Sequence, residues 1–173
     1  MKKTVLLCAL TSAVLFGKSL VVDQGVVKAH TEVFGDSNIN PQTTAIISHL
    51  KMQKSIASMR GSIDVNVFKL KSSNHKRDEH MVKAIESTKY PRAHYVISKV
   101  QKSGGGYLIY GNLTFHGVTR PLVFAADINK VGNKVNINAS SYIKLSDYKV
   151  KPIKLLFLSV RDKIDLTVNV TLK

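Results

Sequence analysis

An all-β chain with one helix is the fold class the 173 residues predict, with seven or eight mostly antiparallel strands forming a sandwich or a closed barrel. Three features carry that reading. Apolar and polar residues alternate with period two in segment after segment, as strands with one face in an interior require. Short turn-forming links separate those segments, which marks neighbours as antiparallel. Only one stretch, Arg77–Ser87, has helical spacing. Closing the sheet removes exposed strand edges, although periodicity alone does not separate a barrel from a sandwich.

The N terminus reads as a leader. Lys2 and Lys3 precede the apolar run Val5–Phe16, and Gly17 and Ser19 stand where a small-x-small cleavage site lies. This pattern predicts a secretory signal peptide over residues 1–19, cleaved near Ser19, a periplasmic destination and a single domain over 20–173. The run is short against the roughly twenty residues of a membrane span, an uncleaved anchor being the alternative. Cys8 is the only cysteine and lies inside the leader, behind Leu7 rather than the small residue that lipidation favours. The mature chain therefore carries no thiol, disulfide or cysteine-based metal site.

Residues 20–34 mix valine with polar residues and open the sheet without a clear inward face, and Asp36–Pro41 is turn chemistry. Ile46–Met52 alternates weakly and reads as a strand or a short helix. From Gly61 the pattern sharpens, with Ile63, Val65 and Val67 on one face against Asp64 and Asn66; Lys71–His75 is a polar link. Within Arg77–Ser87, Met81, Val82 and Ile85 make an apolar stripe, and Asp78 and Glu79 suit a helix start. Pro91 closes that region. Ala93, Tyr95 and Ile97 then alternate with His94 and Ser98, and Gly104–Gly106 links to a strand with Ile109, Gly111, Leu113 and Phe115 on one face. A turn at His116-Gly117, where Gly117 supplies a positive φ, leads back through Leu122, Phe124, Ala126 and Ile128. After Gly132-Asn133 the cleanest strand aligns Val135, Ile137, Ala139, Ser141 and Ile143. Ser146–Leu158 breaks the pattern, and its apolar run Leu155–Leu158 reads as a flap, with Tyr148, or as core beneath a loop. Ile164, Leu166, Val168, Val170 and Leu172 form the last strand.

The segment Gly111–Leu122, G-N-L-T-F-H-G-V-T-R-P-L, resembles the hairpin signature of the YceI-like polyisoprenoid-binding family. Arg77-Asp78-Glu79-His80-Met81, Tyr90-Pro91, Ser146-Asp147-Tyr148 and Val160-Arg161-Asp162 are similar to that family's other short motifs, in the same order. The resemblance covers roughly residues 60–173. It departs from the family in having no tryptophan, in its first fifty residues, and at Leu145 and Lys149, where many members have arginine and glycine. It implies an eight-stranded antiparallel lipocalin-like barrel with a helix near one end. The ligands it implies are polyisoprenoids and related long-chain lipids, isoprenoid quinones included.

An eight-stranded barrel is either filled by its own side chains or holds one elongated apolar ligand. Small inward residues (Ala93, Gly111, Ala126, Ala139, Ser141) among Tyr95, Phe115, Phe124 and Ile143 are expected to leave a tunnel, or else simply to accommodate curvature. The expected ligand-lining set is Ile63, Val65, Val67, Met81, Ile85, Tyr95, Ile97, Ile109, Leu113, Phe115, Leu122, Phe124, Ile137, Ala139, Ile143, Leu166 and Val168. Arg77, His80, Lys83, Tyr148 and Phe157 are expected at the mouth or the ligand's head, the alternative for Arg77 and Asp78 being a local ion pair and helix cap. No cofactor is expected beyond a bound lipid of polyisoprenoid or quinone type.

The formal charge of +15 falls to +12 once Lys2, Lys3 and Lys18 leave with the leader. Such a balance favours anionic partners. Lysines scattered along strands without interleaved aromatics do not make a base-stacking platform, so no nucleic acid is expected. An anionic membrane or envelope polymer docked by a solid, ligand-free barrel is the alternative function. Enzyme chemistry is not expected: G-x-S-x-G and H-E-x-x-H are both missing, and no glycine-rich loop precedes the helix.

Overall fold

The computed structural model describes residues 17–33, 36–151, 154–155 and 158–173. Its strands are β1 (Lys18–Leu20), β2 (Val22–Val33), β3 (Asp36–Ile39), β4 (Gln42–Thr43), β5 (Ile46–Met52), β6 (Arg60–Asn66), β7 (Arg92–Ser103), β8 (Gly106–Phe115), β9 (Val118–Val131), β10 (Lys134–Lys144), β11 (Lys154–Leu155), β12 (Leu158–Ser159) and β13 (Lys163–Leu172). One helix, α1 (His75–Ala84), lies between β6 and β7. Among these strands eight have seven residues or more: β2, β5, β6, β7, β8, β9, β10 and β13. They form the wall of a strongly curled antiparallel sheet in the order β5-β6-β7-β8-β9-β10-β13-β2.

The two ends of the wall meet through one bent segment. β1 pairs with β5, whereas β2, which follows after Val21, pairs with β13. Val21 and Lys173 exchange both backbone hydrogen bonds at the bend. The ladder is thus closed at the β1 end. Further along, β2 pairs with the short strands β3 and β4 instead of β5.

Register follows the alternation. β10 and β13 pair without interruption from Val135–Leu172 to Lys144–Lys163, which puts both apolar rows on the same side. β5 alternates buried and exposed at every residue, so Ile46–Met52 is a strand. Asp36–Ile39 is also a strand rather than a turn: Asp36 accepts from the Asn38 N–H as turn residues do, yet Ile39 opposite Thr31 is buried and anchors the segment to β2. The β8–β9 turn has positive φ at both central residues, His116 (49°) and Gly117 (73°). That is the primed geometry whose twist matches the flanking strands. Helix α1 starts two residues before the expected position because the Asn74 side chain accepts from the Arg77 N–H and caps it.

The interior is packed at the closed end. Leu20, Leu50, Met59, Val135 and Leu172, from five separate segments, are each at most 1% exposed there. Toward the other end, α1 and the turn around Ser146–Tyr148 stand over the barrel. The wall parts there, since β9 pairs with β10 only over 125–131; beyond that the Ser141 hydroxyl donates to the Val123 carbonyl and Arg120 to the Asp147 carbonyl.

Candidate functional site

Beyond the packed end the barrel encloses a cavity of about 450 Å³, within the range of roughly 300–1,000 Å³ typical of ligand pockets. The expected tunnel is therefore a pocket with a floor. Its wall is almost wholly apolar: Ile63, Val65, Val67, Met81, Ile85, Tyr95, Ile97, Ile109, Leu113, Phe115, Phe124, Ile137, Ala139, Ile143, Leu166 and Val168 all line it. Most come from strand faces that alternation assigns inward; Val67 lies in the turn after β6, Met81 on α1 and Ile85 just past its end.

Leu122 does not line the cavity, although its parity points inward. Tyr95 lies across Gly111, where an added Cβ would fall 2.6 Å from the tyrosine ring, and donates to both the Ile109 and Leu122 carbonyls at 3.0 Å. Leu122 packs against the core beside that ring. Gly111 consequently contributes no free space; the tyrosine occupies it. Burial pushes the Tyr95 phenol above its ordinary value, so it stays a neutral donor. Of the other small inward residues, Ala93 and Ala139 line the cavity, while Ala126 and Ser141 do not.

The polar lining is gathered at one rim. Ser72, Asn74, Lys76, Arg77, Asp78 and His80 all reach the cavity from the start of α1 and the link before it, with Thr31 opposite on β2. Arg77 is bound to Asp36 at 2.6 Å, joining α1 to β3. The Asn38 N–H and the Arg77 guanidinium hold the Asp36 carboxyl below its usual range. Asp78 faces back along the chain and accepts from the Ser72 N–H and hydroxyl (2.6–3.0 Å), so it braces the link.

Two expected mouth residues lie elsewhere. Lys83 is exposed in the last turn of α1, off the cavity. Tyr148 is 2% exposed and packs edge-on against Phe115 from behind, ring centroids 5.6 Å apart. Its role is to seat the turn after β10. Leu156 and Phe157 of the expected flap and residues 1–16 of the expected leader lie outside the described residues, while the backbone of Leu155 pairs with that of Leu158.

The turn after β10 is held on two sides by residues of the short motifs. His116 contacts the Tyr148 carbonyl through Nδ1 (3.0 Å) and the Glu86 carboxylate through Nε2 (2.6 Å). Glu86, His116 and Lys149, all with positive φ, converge at this contact. On the other side, the Ser146 N–H and hydroxyl donate to Asp162 at 2.8 and 2.6 Å. The Ser146 hydroxyl leads the contacts that lower the Asp162 carboxyl below its ordinary value of 3.8. These motif residues fasten loops over the barrel rather than face its interior.

Val27, Ala29, Thr31, Val33, Ile39 and Pro41 also line the cavity, though sequence reasoning did not single them out. The signal was the i, i+2 spacing of Val27, Ala29, Thr31 and Val33, diluted by a threonine and an alanine. Lys76 was missed because the helix was started after it.

An apolar pocket inside a curled antiparallel barrel, polar at one rim, defines a class of small binding proteins built around an internal cavity. The chain belongs to the YceI-like domain family, whose sequence model matches residues 21–172. It is similar to a UPF0312 protein of Pseudomonas putida, 32% identical over 99 residues that make up 52% of each chain. The chain thus spans about half the length of the curated relatives it matches. Among solved structures it resembles BcnA of Burkholderia cenocepacia, at a TM-score of 0.75 and 16% identity over 85% of this chain and 95% of that one. It also resembles a polyisoprenoid binding domain from Saccharophagus degradans implicated in plant cell wall breakdown, at a TM-score of 0.62 and 10% identity over 90% and 98% of the two chains. At those identities the likeness is one of fold.

Proposed function

We propose that the cavity holds one long-chain lipid of the isoprenoid type, and that the protein is an exported, non-enzymatic carrier or reservoir for it. The observation that carries this reading is the floored, apolar cavity of about 450 Å³ with its polar groups confined to one rim. A dry wall of aliphatic and aromatic carbons suits an apolar chain, each buried methylene contributing about 0.8 kcal/mol. The tail lies in the barrel and the head sits at the rim, where Lys76, Arg77 and His80 suit a phosphate, a quinone carbonyl or a carboxamide. Family membership and the polyisoprenoid binding domain of similar fold support the ligand class. The leader-like N terminus supports export to the periplasm.

Native mass spectrometry of the protein recovered from the periplasm, followed by organic extraction, tests both parts. The expected spectrum shows a chain lacking its first nineteen residues and carrying one lipid released only on denaturation. A bare mass, unchanged after incubation with polyprenols and quinones, would overturn the carrier reading in favour of a ligand-free cationic scaffold.

A further inference from the structure

The segment 67–77 forms the rim of the cavity, and its residues divide between two sides. Val67, Leu70, Ser72, Asn74, Lys76 and Arg77 line the cavity. Between them Phe68, Lys69 and Lys71 are exposed, Phe68 by 43%. Residues 67–77 contain four cations and no acid. The nearest carboxylates are already engaged: Asp36 by Arg77, Asp78 by Ser72 and Glu79 by His75. Among the described residues Lys69, Lys71 and Lys76 pair with no carboxylate. Backbone hydrogen bonds between Lys71 and Gln42 in both directions hold this segment against β4, so it is part of the frame.

We propose that this rim is a membrane-docking surface that seats the cavity mouth on an anionic phospholipid bilayer. Phe68 enters the interfacial layer, and Lys69 and Lys71 meet the headgroup phosphates. An exposed aromatic beside a cluster of cations is the pattern interfacial binding uses, apolar burial adding to attraction for anionic lipid. Its purpose rests on the lipid-carrier reading, since a lipid whose head lies at this rim leaves best where a bilayer can receive it. The charge complementarity and the position of Phe68 do not depend on that reading.

The chain has no tryptophan, so Phe68→Trp supplies a sole reporter. The probe is vesicles of phosphatidylglycerol with phosphatidylcholine, against phosphatidylcholine alone. The expected result is a blue-shifted, brighter emission on the anionic vesicles only, reversed by about 0.5 M salt through screening. Adding Lys69→Ala and Lys71→Ala should weaken partitioning roughly thirtyfold, while native mass spectrometry shows the same lipid load. Val123→Trp, on the outer wall of β9, should stay silent. A silent Phe68→Trp on vesicles that still bind the protein, or a response from Val123→Trp instead, would overturn the proposal by placing the contact elsewhere. So would failure to bind at all. Lipid load is read in a separate measurement, so an empty cavity with a responding Phe68→Trp removes the carrier reading and leaves the docking surface standing.

Discussion

Ala139→Leu tests whether the space inside the barrel belongs to a ligand. Ala139 lies on β10 between Ile137 and Ser141, is 6% exposed, and faces the cavity. The substitution adds three carbons. Where they extend into a cavity they gain burial without displacing neighbours, worth up to about 2 kcal/mol at 0.8 kcal/mol per methylene. The same insertion into a close-packed core costs about 1–3 kcal/mol instead, so the two cases differ in sign. Val135→Phe supplies the contrast, because Val135 is 0% exposed at the packed end and away from the cavity. The assay is denaturant unfolding of delipidated protein. Ala139→Leu should raise the midpoint and Val135→Phe should lower it. Lipid uptake should fall on the order of fiftyfold for Ala139→Leu, the space of about three methylenes being lost to the ligand. Destabilisation by Ala139→Leu with undiminished uptake would refute the assignment of this space to a ligand.

Other consequences concern the loops over the barrel. His116→Asn keeps a residue that tolerates positive φ but shortens the reach to Glu86 and the Tyr148 carbonyl; it should cost about 2 kcal/mol of stability, and an unchanged denaturation midpoint would contradict the bracing role. The carboxyls of Asp36, Asp162 and Asp165 are lowered from 3.8, and that of Asp23 to about 2 by the ammonium groups of Lys134 and Lys173. A depressed carboxylate stabilises fully above its unfolded value and loses that contribution as pH falls through the folded one. Stability should therefore hold down to roughly pH 4 and decline toward pH 2, and Asp162→Asn should make that acid limb shallower in melting scans.

Much of the wall was legible because alternation over ten residues admits one reading. Val135–Ile143 and Ile164–Leu172 pair along their length as their patterns indicate, and the His116-Gly117 turn is where its residues place it. β2 was not legible, since its inward row Val27, Ala29, Thr31, Val33 is small and partly polar, and its pairing shifts register near Leu172. Asp36–Ile39 misled because a local side-chain hydrogen bond mimics a turn while a single isoleucine makes the tertiary contact. The floor of the cavity was beyond a sequence reading for a different reason. Leu20, Leu50, Met59, Val135 and Leu172 meet only once the wall has curled, and no local pattern marks them off from Ile137 or Leu166, which face empty space. Gly111 shows the same limit: its lack of a side chain suggested room, and Tyr95 takes that room.

A floor at one end and a polar rim toward the other give the barrel a direction. The lipid proposed for it would lie with its tail toward the floor and its head at the rim, in one orientation. The packed floor blocks passage at that end, so a chain held against it must withdraw along its whole buried length. Residence time then grows with depth, by on the order of fourfold for each further methylene covered. Such a vessel keeps long tails and sheds short ones without recognising their chemistry. It sorts by length through time rather than by fit.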